Sequence, residues 1–460
     1  MLFTSLTFLY AFLPATVLLY FVIPNRHWRN GVLLIASLIF YSWGEPIYIV
    51  LMITASLVAY AGGLLISQCG TSLPTQLKKP IFILTVVILL SNLFVFKYLN
   101  FVCTIFGAES PEVSLPIGIS FYTFQILSYV ADLYLGKIGV QKNPAYLTLY
   151  VSFFPQLIAG PIVRYQTIED EILNRHENFA DFTEGLRRFM LGLGKKVLIS
   201  NYVAIVADSV YGFENPGTSA LWVAALAYTL EIYFDFSGYS DMAIGLGRMF
   251  GFHFPENFDY PYLSCSVTEF WRRWHISLSS WFRDYVYIPL GGNRRGTPRT
   301  LCNLLVVWGL TGLWHGASWN FVLWGLYYAA FLILEKYVLK SRLEKLPCAF
   351  RWLITFVIVT IGWVIFNLTE WPELAAALKG MFVYTPTNWF SIVSDNADFL
   401  FAILFLPVGL LLSFPICRPF FKREGRIATV LQNFACLVIF FFSIVCLISS
   451  VYNPFIYFRF

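Results

Sequence analysis

The sequence predicts an all-α protein that crosses a membrane about 11 times. Three observations support this prediction: 58% of the 460 residues are hydrophobic, 12% are charged, and the mean hydropathy is +0.68. Soluble globular proteins carry about 25% charged residues, so this chain has too few to cover a water-exposed surface. The composition therefore excludes a cytosolic enzyme and a nucleic-acid-binding protein, and the small net charge of +5 suits basic loops at a membrane surface.

Charge-poor stretches of spanning length follow one another along the chain. Residues 1–25 carry no charge and so lack the basic segment of a signal peptide, which predicts a retained first membrane helix. A break at Glu45 and Pro46 divides residues 30–77 into two helices. The other candidate spans are 80–106, 115–135, 144–162, 189–211, 219–246, 301–334, 353–367, 399–417 and 428–451. The eight scattered cysteines show no metal-ligand spacing, so no metal site is expected.

Two segments depart from this pattern, although we expect residues 1–460 to form a single membrane domain. Residues 164–188 hold ten charges in 25 residues, which predicts short amphipathic helices on the membrane surface. The region 252–334 begins with an aromatic, basic, Pro- and Gly-rich stretch and ends in an apolar run. It contains both histidines that are candidates for chemistry.

His315 is the first of these candidates, because it lies in a 34-residue stretch, 301–334, without Asp, Glu, Lys or Arg. An ionisable residue within a membrane segment is a functional candidate, whereas a neutral imidazole bonded to a backbone carbonyl would be purely structural. The neighbouring glycines, Gly312 and Gly316, would let a substrate approach closely. Tight helix packing would require the same small residues.

His275 lies in the aromatic and basic segment 269–285. If this segment is helical, Trp274 and His275 fall on one face, with Arg272 and Arg273 towards its sides. Two guanidinium groups at a cytoplasmic mouth could hold phosphates through bidentate hydrogen bonds. Snorkelling of the arginines to lipid head groups explains them equally well.

Three acidic residues form another group in an apolar stretch: Glu231, Asp235 and Asp241. Glu231 and Asp235 are four residues apart and share a helical face. They could relay protons, orient a histidine or pair with an arginine such as Arg272. Buried structural pairing is the role we expect.

Six segments, in this order, resemble the membrane-bound O-acyltransferase superfamily and, within it, the AlgI-like alginate O-acetyltransferases. They are MLFTSLTFL at 1–9, AGPIVRY at 159–165, FDFSGYSDMAIG at 234–245, the stretch 271–294, WHGASWNF at 314–321 and FIYFRF at 455–460. Each segment alone is a weak signal, but their joint occurrence along the whole chain is specific.

The resemblance implies a funnel-shaped helical fold with a thin catalytic centre, where a cytoplasmic acyl donor meets an acceptor from outside. His315 matches the family's catalytic histidine and His275 its second active-site position. The implied donor is acetyl-CoA, a substrate and not a bound cofactor. Candidate donor-binding residues are Arg272, Arg273, Trp274 and Trp314.

The chemistry of the residues is consistent with acyl transfer. A base must take the proton of the accepting hydroxyl, and a neutral imidazole suits that task near pH 7. An apolar site would keep His315 uncharged and would exclude the water that hydrolyses thioesters. His275 could orient His315, polarise the thioester carbonyl or accept a second proton, and the sequence does not choose among these roles.

The resemblance thus implies an O-acetyltransferase of the bacterial inner membrane that acts, through an extracytoplasmic acetyltransferase or esterase-like partner, on a cell-surface polysaccharide. Candidate acceptors are alginate, another exopolysaccharide or peptidoglycan. D-alanyl transfer and export is the alternative within the family. A proton-coupled secondary transporter is the alternative from another class, although no half-chain repeat supports it, and a scaffold without activity would not need both histidines.

The apolar and aromatic tail, 454–460, should bury itself in the protein or in the membrane interface. An aromatic anchor is the simplest interpretation. The resemblance adds a second one, because related proteins share this type of ending. In that interpretation Tyr457 accepts the acyl group and passes it to the partner protein.

Overall fold

The computed structural model describes residues 1–109, 111, 113–449 and 455–456, and within these residues the chain forms helices and no strand. The all-α prediction is therefore confirmed. The contacts divide the chain into two compact units, Met1–Phe189 with Ser240–Pro255 and Met190–Tyr239 with Glu256–Phe460.

Eleven α-helices begin in the described part of the first unit. They are α1 (Leu13–Val22), α2 (Arg26–Ser42), α3 (Ile49–Gln68), α4 (Lys78–Leu93), α5 (Leu99–Ile105), α6 (Ile119–Tyr134), α7 (Pro144–Ser152), α8 (Phe154–Leu157), α9 (Tyr165–Ile168), α10 (Glu171–Asn174) and α11 (Phe179–Gly194).

The helices that begin in the described part of the second unit continue this numbering. They are α12 (Asn201–Tyr211), α13 (Thr218–Met249), α14 (Val267–Arg273), α15 (Ile276–Phe282), α16 (Thr297–His315), α17 (Trp319–Leu334), α18 (Lys340–Leu343), α19 (Cys348–Asn367), α20 (Trp371–Phe382), α21 (Trp389–Asp395), α22 (Phe399–Ala402), α23 (Phe405–Leu412), α24 (Arg418–Phe421) and α25 (Arg426–Ser449). Wider π-type turns extend several of these helices, at Phe8–Phe12, Phe94–Tyr98, Lys195–Ser200, Arg283–Tyr287 and Glu335–Leu339.

Several of these helices are long and apolar enough to cross a membrane, which fits a multi-pass membrane protein. Among the described residues six qualify: Ile49–Gln68, Thr75–Ile105, Phe179–Tyr211, Trp319–Leu343, Cys348–Asn367 and Arg426–Ser449. A seventh span results if Trp389–Asp395 and Phe399–Leu412, bent by 110°, are counted as one. The expected number of about 11 is not confirmed, because several apolar stretches fold as helices that are short or broken.

Two broken stretches illustrate this difference. Residues 144–162 form α7 and α8, which are interrupted at Phe153. Residues 301–334 form most of α16 and then α17, two helices joined by a turn at 316–318. Hydropathy counts apolar residues and does not register such turns.

The charged segment of the first unit contains the short helices α9 and α10 and the start of α11. Arg175, which follows α10, is buried and donates to the carbonyls of Glu171 and Ile172 at 3.1 and 2.9 Å. Its guanidinium lies 4.4 Å from the ring centroid of Phe252. Part of the charge in this segment therefore stabilises the interior of the unit.

In the second unit, an aromatic core positions the site. The hairpin of α16 and α17 packs closely at Gly312, which has no Cβ. A Cβ at this position would lie only 2.2 Å from the carbonyl oxygen of Phe321. Asn320, at the start of α17, donates to the carbonyls of Ile365 and Phe366 in α19, both at 3.3 Å. The end of α16 is thus held against α17 and α19.

Candidate active site

His275 lies at a break in the chain between α14 and α15. Its φ of +43° is in the left-handed region, which non-glycine residues adopt at a cost of about 1–2 kcal/mol. Residues 269–285 are therefore not one helix, as the sequence allowed. The cause is Asn257, whose carbonyl accepts from the N–H of Ile276 at 3.0 Å, while Asp259 donates to the carbonyl of Arg273 at 3.0 Å.

The side chain of Asn257 then fixes the ring of His275. Its Oδ1 accepts from the N–H and the hydroxyl of Ser277, at 3.3 and 2.8 Å, and lies 3.1 Å from Nδ1 of His275. A backbone N–H can only donate, so the atom of Asn257 at this place is the oxygen, and Nδ1 must carry the proton. Nε2 consequently holds the lone pair, and it meets no hydrogen-bond donor among the described residues.

Burial keeps this imidazole neutral. His275 is 1% exposed, and burial lowers its pKa to about 3. A neutral ring with a free lone pair on Nε2 can accept a proton but has no N–H there to offer a carbonyl. Of the three roles open to His275, polarising the thioester carbonyl therefore fits the geometry least.

His315 is the last residue of α16 and is surrounded by aromatic rings. It is 4% exposed, and its ring centroid lies 5.0 Å from that of Trp324 and 5.3 Å from that of Phe366, both nearly edge-on. These rings come from α17 and α19. The histidine therefore sits at a helix end in an apolar setting and not midway along a spanning helix.

The side chain of Trp314 contacts the rings of both histidines. The ring centroid of Trp314 lies 5.8 Å from that of His275 and 5.0 Å from that of His315. Sequence positions 40 residues apart are thus brought to the same indole. The site predicted from two separate motifs is a single place in the second unit.

Buried hydrogen-bond donors accompany the histidines. The indole N–H groups of Trp271 and Trp324 are buried and meet no acceptor in the part of the chain that the structure describes. Buried polar groups normally have partners, so unsatisfied donors near a candidate site are available to a ligand. Carbonyl oxygens are suitable acceptors for them.

The four candidate donor-binding residues have different surroundings. Arg273 is held by Glu269 at 3.0 Å and by Asp259 at 3.3 Å. Arg272 is exposed and has no ion pair within the described residues. Trp274 is 1% exposed and packs in the aromatic core, and Trp314 lies between the histidines. Their role in donor binding stays a prediction.

The acids of α13 are engaged in structural pairs. Asp235 lies 2.5 Å from Nζ of Lys196, and Asp241 lies 2.9 Å from Nη2 of Arg188. Buried pairing was the expected role, and the partners are Lys196 and Arg188, not Arg272. The Lys196–Asp235 pair is buried, whereas the Arg188–Asp241 pair is half-buried. Glu231, one turn before Asp235, is also buried.

Sequence reasoning missed Asn257. The residue lies in the stretch PENFDYP at 255–261, where a lone amide stands among aromatic residues and prolines. Its signal was the one amide side chain in this loop, but nothing in the sequence links it to a histidine 18 positions later. Tyr457, the predicted acyl carrier, lies outside the described residues, although Phe455 and Ile456 just before it are buried.

Comparisons with known proteins show the family of this chain. Residues 38–369 match the membrane-bound O-acyltransferase family, and the chain is 39% identical, over the full length of both proteins, to the probable alginate O-acetylase AlgI of Pseudomonas putida. It is 33% identical to the peptidoglycan O-acetyltransferase of Helicobacter pylori, over 87% of this chain and 83% of that protein. Similarity to the teichoic acid D-alanyltransferase of Bacillus subtilis is lower, 29% over 55% of this chain and 68% of that protein. The chain belongs to the membrane-bound O-acyltransferase family.

Proposed function

We propose that this membrane-bound O-acyltransferase takes an acetyl group from cytoplasmic acetyl-CoA and moves it across the bacterial inner membrane for O-acetylation of a cell-surface polysaccharide. The observation that carries the proposal is the pair of buried histidines on Trp314. The similarity to the alginate and peptidoglycan enzymes favours an acetyl group and a glycan acceptor. D-alanyl transfer is less favoured, because the similarity to the D-alanyltransferases is lower.

The proposed chemistry uses the protein's own side chains. His315 takes the proton of the accepting hydroxyl as its oxygen attacks the thioester carbon. A C–O bond forms and the C–S bond breaks, and the proton passes to the departing thiolate, which leaves as the thiol of coenzyme A. Aromatic rings around His315 exclude water from the thioester. The lone pair on Nε2 of His275 provides a second place for a proton.

The first acceptor in this proposal is the hydroxyl of Tyr457. Its unperturbed pKa is about 10, so its ester is a better acyl donor than an ordinary alkyl ester. An extracytoplasmic acetyltransferase or esterase-like partner would then take the acetyl group to the polysaccharide. Tyr457→Phe keeps an aromatic anchor but removes the accepting oxygen, so surface acetylation should disappear. Normal acetylation in this variant would eliminate the carrier role.

His315→Ala tests the function as a whole. The variant should accumulate in the membrane and keep its detergent stability, because Trp324 and Phe366 beside position 315 also pack against each other, while polysaccharide O-acetylation should fall to background. Thr311→Ala, one turn earlier in α16, is the matched control, since its hydroxyl donates within its own helix to the carbonyl of Val307 at 2.8 Å. Substantial acetylation in His315→Ala would show that His315 is not the base.

A further inference from the structure

The described end of the chain returns to the core of the second unit. Phe455 and Ile456 are 3% and 2% exposed. The ring centroid of Phe455 lies 4.7 Å from that of Tyr239 and 5.9 Å from that of Phe236, both on α13. Phe236 in turn meets the ring of His275 edge-on, with 4.7 Å between centroids. A single phenyl ring therefore links the tail to His275.

One carboxylate holds the backbone of this tail. The N–H of Ile456 donates to Oδ2 of Asp235 at 2.6 Å, and Nζ of Lys196 lies 2.5 Å from Oδ1. The side chains of Asp235 and Lys196 are 1% and 6% exposed. Asp235 thus divides its two oxygens between a buried cation and the tail.

The local backbone explains how Lys196 reaches Asp235. Gly238, three residues after Asp235 in α13, permits the chain at 192–196 to approach, since a Cβ there would lie 2.7 Å from the carbonyl of Gly192 and 3.1 Å from the N of Lys196. A larger residue at 238 would push the two segments apart. The ion pair is therefore built into the backbone of the unit.

Stability alone is a poor explanation of this pair. Desolvating two buried charges can cost more than their attraction returns, and an apolar pair of the same size would often do as well. A carboxylate does provide something that an apolar residue cannot, namely a strong and directional acceptor for a buried backbone N–H. A proton relay through Asp235 is also poorly explained, because both of its carboxylate oxygens are engaged, one by the N–H of Ile456 and the other by Lys196.

We infer that Asp235 is a positioning residue for acyl transfer, which holds the backbone of the C-terminal segment at Ile456 beside the His275 side of the site, with Lys196 fixing its carboxylate. This inference rests on the proposed function, in which Tyr457 follows the anchored residue as acyl carrier. Asp235 itself takes no part in the chemistry. It fixes the backbone of Ile456, the residue that directly precedes the proposed carrier.

Ile456→Pro is the sharpest test, because it removes the N–H that Asp235 accepts and leaves the Lys196–Asp235 pair intact. Ile456→Val keeps the N–H and is its matched control. Asp235→Asn tests the other side of the bond, with Ser237→Ala as control, since that buried hydroxyl on α13 has no partner among the described residues. The measurements are hydrogen exchange of the C-terminal peptide in the purified full-length protein, and acetyl transfer at varied acetyl-CoA.

Ile456→Pro and Asp235→Asn should both increase exchange in the C-terminal peptide. Both should also lower the transfer rate at saturating acetyl-CoA about tenfold or more, with the KM for acetyl-CoA unchanged, because one buried charge-assisted hydrogen bond is lost. The two control variants should match the wild type in both measurements. A merely structural role would not separate the transfer rate from the KM in this way.

Three results would overturn the inference. Asp235→Asn with a protected tail but no transfer would place Asp235 in the chemistry. Ile456→Pro with increased exchange but normal transfer would show that the position of the tail is irrelevant. If Asp235→Asn fails to accumulate, the Ile456→Pro variant alone tests the inference. Unchanged hydrogen exchange of the C-terminal peptide in that variant contradicts the anchor. Absence of acetyl transfer in the wild type would instead contradict the proposed function, while hydrogen exchange would still report on the anchor.

Discussion

His275 and His315 are held in opposite ways within the same unit. His275 stands in a strained turn, with Nδ1 on the amide oxygen of Asn257 and the backbone on either side clamped by the same loop. His315 ends a long helix and is surrounded by Trp324, Phe366 and Trp314. Hydrogen bonds orient the first ring, whereas packed rings create the apolar setting of the second.

The difference suggests a division of roles. A hydrogen bond on Nδ1 selects the tautomer, so His275 presents a defined lone pair. An apolar environment favours a neutral base and strengthens every charge interaction that develops during transfer. A glycine would adopt the backbone conformation at position 275 without strain. The presence of a histidine there points to a function of the imidazole itself.

The largest expected effect separates strain from chemistry at His275. His275→Gly and His275→Ala both remove the imidazole and should lower acetyl transfer about 10²- to 10⁴-fold. Gly adopts a positive φ without strain, so His275→Gly should unfold at a higher temperature than His275→Ala, by a margin equivalent to about 1 kcal/mol. Transfer assays and thermal unfolding in detergent measure the two effects. Equal stabilities would show that the backbone at 275 is not strained.

The second prediction removes the orientation of His275 but keeps its ring. Asn257→Ala leaves Nδ1 without its acceptor and should lower transfer roughly tenfold to a hundredfold, the equivalent of about 1–3 kcal/mol for a buried hydrogen bond. Asn257→Asp keeps an acceptor and adds a charge that favours the imidazolium. Asn257→Asp should retain more activity than Asn257→Ala, and the acid limb of its pH profile should move to higher pH. Unchanged activity in Asn257→Ala would refute the tautomer assignment.

The class of fold could be predicted from the sequence, and both histidines could be named as candidates, but their geometry could not be predicted. Composition determines that the chain is a helical membrane protein, since apolar content is a sum over residues and needs no contacts. The turn after His315 and the break at His275 depend on tertiary contacts, from Asn320 to α19 and from Asn257 to Ile276. The same holds for the Lys196 partner of Asp235, 39 residues away in sequence.

The third prediction distinguishes the two arginines next to His275. Both were candidates for donor binding, but Arg273 is already paired with Glu269 and Asp259, and Arg272 is exposed and unpaired within the described residues. Arg272→Ala should raise the KM for acetyl-CoA about tenfold, the equivalent of one charged hydrogen bond, with little change in the transfer of bound donor. Arg273→Ala should mainly lower the unfolding temperature, since partly exposed ion pairs contribute about 0.2–1 kcal/mol. A larger KM effect in Arg273→Ala would reverse these assignments, and no effect in the double variant would favour lipid anchoring.

The smallest effect is a pH dependence of stability that belongs to His275. Burial lowers the pKa of this imidazole to about 3, against about 6.5 in an unfolded chain. Between these two values the unfolded state binds one proton more than the folded state, so the stabilisation is complete above pH 6.5 and decreases on acidification by roughly 1.4 kcal/mol per pH unit. His275→Gln cannot titrate, so its unfolding temperature should fall less than that of the wild type between pH 7 and pH 5, by a few degrees for a protein of this size. If the unfolding temperatures of the two proteins instead fall in parallel with pH, His275 is accessible to protons in the folded state. The description of His275 as a neutral, oriented imidazole would then be wrong.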